Sequence, residues 1–327
     1  MKRREFIAVV GGAAAWPLVA RAQQPTMPVI GFLGTGSPAE FSGLVGEFRR
    51  GLSETGHVEG NNLVVEYRWA EGHYDRLPTL ADELVRRKVL VIATPSGAPA
   101  ALAALAATTT IPIVALVAVD PVEAGLVRSL NHPGGNLTGV STLNVEVGPK
   151  RLQMLHEMLP AATRFALLVN PTNRANTETT TSELQTVART LGLDLQVLQA
   201  STDLEIETAF ASLAELRAGG LVIGTDGFLI SRSAQLAALA MRHAVPAIFQ
   251  YREYAAAGGL MSYGSSFSDS YHQVGVYTGR ILNGEKAADL PIVQATKVEL
   301  IVNLKTARAL GVMVPLSLLG RADEVIE

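Results

Sequence analysis

Short apolar runs alternate with segments of helical periodicity along the chain from residue 28 onward. The runs are rich in Val, Ile and Leu and end in turn-forming residues, which is typical of buried strands. In one intervening segment the apolar residues recur at spacings of three and four, as one face of a helix would, at Phe41, Leu44, Val45, Phe48 and Leu52. We predict strands at Pro28–Leu33, Asn62–Arg68, Val89–Thr94, Pro112–Val117, Leu137–Thr142, Phe165–Val169, Asp194–Leu198, Gly220–Thr225, Pro246–Gln250, Leu260–Tyr263 and Lys297–Val302.

This alternation of strands and helices predicts an α/β fold. Strands that are separated by helices pair in parallel, and the helices cover both faces of the sheet. The uninterrupted apolar stretch Ile113–Val119 fits a strand that is buried on both faces.

The chain also resembles itself. In each half, a strand that ends in a turn is followed by a second strand, an alanine-rich helix and a third strand that begins near a proline. The first copy comprises Ile30–Leu33, Val89–Thr94 and Ile111–Val114, and the second comprises Leu167–Val169, Gly220–Thr225 and Val245–Ile248. The repeat predicts two Rossmann-like lobes in sequence, although any two strand–helix units share some of this likeness.

Polar and turn-forming residues follow the strands of both halves. Ligands of parallel sheets meet the carboxyl ends of the strands, where helix N-termini offer free N–H groups. Ser96 can cap the helix after it, where those groups can hold a carboxylate, and Asp120 or Asp226 can receive an ammonium or hydroxyl group. The same residues also serve chain reversal and capping without any ligand. The candidate contacts are Thr35, Gly36, Ser37, Thr94, Ser96, Gly97, Asp120, Asn170, Thr172, Asp226, Phe228, Tyr251 and Tyr263.

Composition narrows the chemistry. The chain is 48% hydrophobic and 17% charged, as in globular proteins, and it has no cysteine for a disulfide or a thiolate nucleophile. Gly34-Thr35-Gly36 is the start of a dinucleotide fingerprint, but Ala39 stands where the third glycine belongs. The sequence also lacks a Gly-Lys-Ser/Thr phosphate loop, a His-Glu-x-x-His motif and a Gly-x-Ser-x-Gly elbow. We therefore expect no enzyme, no cofactor and no metal.

The N-terminus has the features of an export signal. Lys2, Arg3 and Arg4 precede an uncharged stretch at Phe6–Ala20, and Ala20-Arg21-Ala22 is a small-x-small cleavage pattern. We predict a signal peptide at residues 1–22, of the twin-arginine or the general secretory type, and a periplasmic or otherwise extracytoplasmic location. Its removal takes away four basic residues and one acidic residue, so the net charge falls from −3 to −6. That sign disfavours nucleic acid as a partner.

Several segments resemble a known family. Residues 27 to 326 are similar to the ABC transporter substrate-binding family that includes tryptophan- and tyrosine-type binding proteins. The Pro-Gly-Gly-Asn-Leu-Thr-Gly stretch is the most specific part of the likeness. The segments that carry it are Met27–Leu33, Val58–Leu63, Tyr67–Ala70, Asn131–Val140, Gly258–Gly264 and Arg321–Ile326.

The resemblance implies a type I periplasmic-binding-protein fold with three hinge crossovers. The N-terminal lobe would comprise 27–143 and about 258–295, and the C-terminal lobe 144–257 and about 296–327. Ser96 and Gly97 would match the loop that holds an amino-acid carboxylate, and Asp120 and Asp226 the polar strand ends. A stacking platform for an aromatic ligand would come from Trp69, Phe228, Tyr251 or Tyr263.

The implied function is capture of a small polar ligand, an amino acid or a small carboxylate, in a cleft that closes like a flytrap. The ligand would pass to an ABC permease in the membrane. A sensory module that docks to a membrane receptor is the alternative, since it would use the same fold. A cytoplasmic repressor with this fold would need a helix-turn-helix before residue 28, where the export signal stands. The sequence leaves the ligand, the permease and the oligomeric state open.

Overall fold

The computed structural model describes residues 27–142 and 144–327, so the predicted signal peptide at 1–22 lies outside the described residues. Two β-sheets, each flanked by helices, make up the two lobes. The first sheet contains β1 (Val29–Gly34), β2 (Val64–Trp69), β3 (Ile92–Thr94), β4 (Ile113–Val117), β5 (Leu137–Thr142) and β11 (Val293–Ala295). The second contains β6 (Arg164–Val169), β7 (Asp194–Gln199), β8 (Gly220–Ile223), β9 (Ala247–Phe249), β10 (Met261–Ser265), β12 (Val298–Asn303) and β13 (Glu324–Ile326).

The two sheets repeat one strand order. The first runs β2-β1-β3-β4-β5 and the second β7-β6-β8-β9-β10, with every neighbouring pair parallel. The α/β fold class and the doubled unit predicted from the sequence are therefore confirmed. Each sheet is extended at its last strand: β11 joins β5 in parallel, whereas β12 joins β10 antiparallel and carries β13 at the edge.

The chain crosses between the lobes three times. It leaves the first sheet after Thr142, returns to the first lobe after Ser265, and enters the second sheet again between Ala295 and Val298. The expected return near residue 258 was placed too early, because β10 pairs with β9 and β12 inside the second sheet. In the repeated strand order, β10 has the same position in the second sheet that β5 has in the first. Strand β10 therefore belongs to the second lobe.

Helices cover both faces of each sheet. They are α1 (Ser42–Glu54), α2 (Leu77–Arg86), α3 (Ala98–Ala107), α4 (Gly148–Met158), α5 (Arg174–Thr190), α6 (Asp203–Glu215), α7 (Gly227–Ser231), α8 (Ser233–Arg242), α9 (Arg252–Ala256), α10 (Phe267–Leu282), α11 (Leu304–Ala309) and α12 (Leu316–Leu319), with a 3₁₀ turn at Tyr74–Arg76. Among the described residues, no helix is both long and apolar enough to span a membrane.

Helices α1 and α10 make the closest helix contact of the first lobe. The face predicted from Phe41, Val45, Phe48 and Leu52 is buried there against α10. A Cβ atom at Gly51 would lie 2.1 Å from the carbonyl oxygen of His272, so the two backbones touch where no side chain fits. This contact holds the segment that returns after Ser265 against the first lobe.

Candidate functional site

A small cavity lies between the two lobes, at the carboxyl ends of their strands. In both sheets the strand order reverses beside β1 or β6, which is where α/β sheets bind ligands. The free space is about 20 Å³, room for one water molecule, so the lobes are closed on each other. We call this space the cleft; it is lined by Ser96, Gly97, Leu116, Val117, Ala118, Thr142, Asn173, Asn176, Thr225, Asp226, Gly227, Ile230, Tyr251 and Phe267.

The first lobe brings the N-terminus of α3 to the cleft. Gly97 has a φ of 105°, a left-handed conformation that glycine adopts without a Cβ penalty, and it turns the chain from β3 into the helix. The Thr35 hydroxyl donates to the Ser96 carbonyl at 3.3 Å, and the Ser96 hydroxyl lies 3.1 Å from that of Tyr271. These bonds tie the ends of β1 and β3 to α10 and fix the orientation of the α3 N-terminus.

The second lobe places Asp226 at the centre of a hydrogen-bond network. Its Oδ1 accepts from Asn170 Nδ2 at 2.9 Å and from the backbone N–H groups of Phe228 and Leu229 at 2.9 and 3.2 Å, which caps α7. Its Oδ2 accepts from Asn173 Nδ2 at 3.0 Å. Burial raises the pKa of Asp226, and these hydrogen bonds oppose the rise. These donors all need an acceptor lone pair on Asp226. Only the ionised carboxylate has enough lone pairs to accept from them.

A tyrosine of the first lobe completes this network across the cleft. The Tyr74 hydroxyl donates to Asp226 Oδ2 at 3.0 Å and accepts from the Phe228 N–H at 2.9 Å. Burial raises the pKa of Tyr74, and the Asp226 charge adds to the rise, so the phenol keeps its proton. At the rim, Arg232 of the second lobe pairs with Glu40 of the first lobe and with Asp203 of its own lobe. The buried hydrogen bonds of Tyr74 and the partly exposed pair of Arg232 and Glu40 thus bridge the lobes at the cleft.

The cleft also has an apolar wall. Tyr251 and Phe267 stack with ring centroids 4.3 Å apart, and Phe267 meets Tyr271 edge-on at 4.9 Å. Ile230 of α7 packs against core clusters of both lobes. An apolar group of a ligand would meet these side chains.

Two buried polar atoms of the cleft lining have no hydrogen-bond partner. They are Thr142 Oγ1 and Asn176 Oδ1, on side chains only 1% and 5% exposed. Unpaired buried polar atoms are costly, so these two atoms are candidate positions for a hydrogen bond to a ligand. None of the described residues forms a cluster of three metal-ligating side chains.

Of the predicted contacts, Ser96, Gly97, Asp226 and Tyr251 line the cleft together. Three others lie directly behind them and bond to them or to Tyr74: Thr35, Asn170 and Phe228. The remaining six are absent from the lining: Gly36, Ser37, Thr94, Asp120, Thr172 and Tyr263.

Those six residues make local contacts in the closed structure. Asp120 Oδ1 caps a turn by accepting from the N–H groups of Val122 and Glu123. The Thr172 hydroxyl donates to Asn170 Oδ1, and the Ser37 N–H donates to Glu40. The carbonyl of Tyr263 accepts from Arg151, Thr94 is buried within the first lobe, and Gly36 packs against the Phe41 ring.

Several cleft residues are not among the contacts predicted from the sequence. Asn173 is the N-cap residue of α5 and Asn176 lies in the first turn of that helix, three and six residues after the predicted Asn170, so helix-start chemistry could have found them. Thr142, Ile230 and Phe267 carry no such signal, since they reach the cleft only through the packing of the two lobes. Tyr74 lies in a 3₁₀ turn that no periodicity marks.

We expect Gly227→Ala to hinder closure of the lobes. A Cβ atom at residue 227 would lie 2.6 Å from Thr35 Oγ1 and 3.0 Å from the Ser96 carbonyl, both in the opposite lobe. Overpacking of this kind costs about 1–3 kcal/mol, so ligand affinity should fall by about tenfold or more. Small-angle scattering of the variant should show a larger radius of gyration. The control is Gly135→Ala, where a Cβ atom meets nothing within 4 Å; equal compactness of the two variants would refute the expectation.

Two repeated lobes with facing strand ends and a shared closed cleft define a type I periplasmic binding protein. The family model described as ABC transporter substrate binding protein matches residues 38–326. The chain therefore belongs to the ABC transporter substrate-binding family, whose members are binding proteins and not enzymes, and the resemblance noted from the sequence is confirmed.

Relatives of known sequence or structure agree with this assignment. A tyrosine-binding protein of Clostridioides difficile is 28% identical over 267 residues, which cover 80% of this chain and 75% of that protein. The ABC domain from Streptococcus pneumonia in complex with L-Trp has a TM-score of 0.79 at 23% identity, over 91% of this chain and 99% of that one. A substrate-binding protein with adhesive properties from Clostridium difficile, in its ligand-free, open structure, gives 0.60 at 24% identity over the same shares.

Proposed function

We propose that this protein is exported, captures a small organic ligand in the cleft by closing its two lobes, and delivers it to an ABC permease. The observation that carries the proposal is the cleft itself, which is walled by strand ends of both lobes and holds unpartnered polar atoms. A site shared between two lobes couples binding to their relative motion, because the ligand contacts both only when they are closed.

The closed state of the structure supports this cycle. A free space of about 20 Å³ holds one water molecule and no amino acid or organic acid, so a ligand must enter while the lobes are apart, and parts of the lining must shift to make room for it once they close. The TM-score of the chain is also higher with the L-Trp complex (0.79) than with the open, ligand-free relative (0.60), although the sequence identities are nearly equal. Opening would break the bonds of Tyr74 to Asp226 and to Phe228, together with the pair of Arg232 and Glu40.

The ligand class follows from the lining. Helix N-termini at α3 and α5 suit a carboxylate, and the Tyr251 and Phe267 rings suit an apolar body. The relatives are named for tyrosine binding and for a tryptophan complex. A small carboxylate or an amino acid is therefore the class to screen.

A thermal-shift screen of amino acids, hydroxy acids and aromatic acids tests the proposal. A ligand at 100 times its dissociation constant stabilises the folded state by about 2.7 kcal/mol, which should raise the melting temperature by about 4 °C. Deletion of the gene should then abolish uptake of the compound that scores. A melting temperature that no compound of the panel raises would count against capture. Unimpaired uptake after deletion of the gene would count against transport.

We expect Thr142→Val to weaken binding without destabilising the empty protein. The Thr142 hydroxyl lines the cleft and has no protein partner, so its loss removes only a bond to the ligand. Such a bond contributes about 1 kcal/mol, which corresponds to a loss in affinity of about five- to tenfold. Calorimetric titration with the compound from the screen measures the change.

The matched control is Thr94→Val. The Thr94 hydroxyl is equally buried and unpartnered, but Thr94 does not line the cleft. Affinity should stay at the wild-type value in this variant. An equal loss in both variants would show that the effect comes from repacking and not from a ligand contact.

A further inference from the structure

The cleft lining contains one charged side chain, Asp226. A ligand ammonium would need a free lone pair on this carboxylate. Both of its oxygens are already occupied, Oδ1 by one amide and two backbone N–H groups and Oδ2 by Asn173 and Tyr74. A carboxylate has about four lone-pair sites, and here five protein donors use them. The closed cleft therefore offers no anion to a buried ammonium group.

The other polar features of the cleft suit a negative charge. Helices α3 and α5 begin at the cleft, one from each lobe, and helix N-termini stabilise anions. A second, independent feature also suits an anion. The buried Thr142 hydroxyl has no hydrogen-bond partner and can donate to a carboxylate. Asn176 Oδ1, from the other lobe, is an unpartnered acceptor in the same lining, which a ligand hydroxyl would satisfy.

A buried cation lies behind the same wall. Arg151 is 0% exposed, and its guanidinium donates to the carbonyls of Asn144 and Tyr263 and to the hydroxyl of Thr225, a cleft-lining residue. No described carboxylate forms an ion pair with it, and Glu146 and Glu183 act on it only from farther away. A buried charge without a counter-ion is costly, and an anion in the cleft would offset part of that cost.

We propose that the cleft takes an organic carboxylate without an ammonium group, such as a hydroxy acid, and that Tyr74 enforces this choice by occupying the Asp226 oxygen that an ammonium would need. This inference rests on the proposed function, since it names the ligand class of the same cleft. It makes Tyr74 a specificity-determining residue. An α-amino acid that displaced the Tyr74 hydroxyl would also break the buried bond between the lobes.

Calorimetric titration with matched compounds tests the proposal. The probes are L-phenylalanine, 3-phenyllactate and 3-phenylpropionate, which differ only in an ammonium, a hydroxyl or a hydrogen at one carbon, and the corresponding leucine series. The two acids of each series should bind about tenfold or more tightly than the amino acid, because the ammonium loses its water without gaining an acceptor. The hydroxy acid should be the tightest, since the proposal has its hydroxyl donate to the unpartnered Asn176 oxygen.

The variant Tyr74→Phe probes the cause. It frees one lone pair of Asp226, so binding of the amino acid should strengthen relative to the two acids, and their ratio should narrow by about fivefold or more. The control is Tyr277→Phe, which removes a hydroxyl bonded to the Pro291 carbonyl within the first lobe; there the ratio should not change.

The outcomes separate the two levels of the proposal. Tighter binding of the amino acids by the wild type would overturn this inference and leave the capture of small ligands intact. A ratio that is unchanged in Tyr74→Phe would remove the role of Tyr74. Absence of binding by every member of both series would overturn the ligand class and remove this support for the proposed function as well.

Discussion

Replacement of Asp226 by alanine should lower the melting temperature of the protein by about 5 °C. The carboxylate caps α7 and accepts five hydrogen bonds, and the alanine variant leaves the buried amides of Asn170 and Asn173 without this acceptor. Loss of a cap costs about 1 kcal/mol, and orphaned buried donors add about 1–3 kcal/mol, so we expect a total of about 3 kcal/mol. Differential scanning calorimetry measures the change.

A matched cap in the same lobe separates the two contributions. Asn303 is equally buried and caps α11 by accepting from the Thr306 N–H, but it lies away from the cleft. The Asn303 amide also donates to the Ala255 carbonyl, so Asn303→Ala should cost about 2 kcal/mol and leave ligand affinity unchanged. If Asp226→Ala were as stable as the wild type, the carboxylate would not be the structural centre that the hydrogen bonds indicate.

Replacement of Gly51 by alanine should destabilise the first lobe by about 3 kcal/mol. The added Cβ atom would lie 2.1 Å from the His272 carbonyl and 2.8 Å from the Val276 amide nitrogen, which are backbone atoms of α10 that no rotamer change can move. Helices α1 and α10 would have to separate, which exposes the apolar face around Phe48. Urea unfolding monitored by circular dichroism measures the free energy of unfolding.

The same helix supplies the control for this prediction. Gly46 is exposed in α1, and a Cβ atom there meets nothing within 4 Å. Gly46→Ala should therefore raise stability by about 0.5–1 kcal/mol, through helix propensity alone. Equal effects of the two substitutions would show that the contact between the helices does not limit stability.

The fold could be predicted from the sequence because its interior strands are nearly continuous apolar runs. The strands that escaped prediction are β11 and β13, three residues each, half-exposed and at the sheet edges. Edge strands bury little surface, so apolar patterning does not mark them. The return of the chain after Ser265 was also misplaced, because a strand sequence does not encode which of two similar sheets it joins.

The sequence predicted those cleft residues that lie both at the end of a strand and at the start of a helix. Ser96 and Asp226 satisfy both conditions, and they line one cleft. The prediction that Asp226 receives an ammonium or hydroxyl group did not include Tyr74, which comes from a distant segment and donates to one of the Asp226 oxygens. Long-range partners of this kind depend on how the lobes meet, which no local pattern specifies.

The distance between the lobes, measured with and without ligand, tests capture by closure of the cleft most directly. The chain has no cysteine, so spin labels can be attached at Ala39→Cys and Leu204→Cys alone, two exposed positions that flank the bridge from Glu40 through Arg232 to Asp203. Double electron–electron resonance should show a longer-distance population in the empty protein and a single short distance with saturating ligand from the screen. A distance distribution that is the same with and without bound ligand would contradict capture by closure of the cleft.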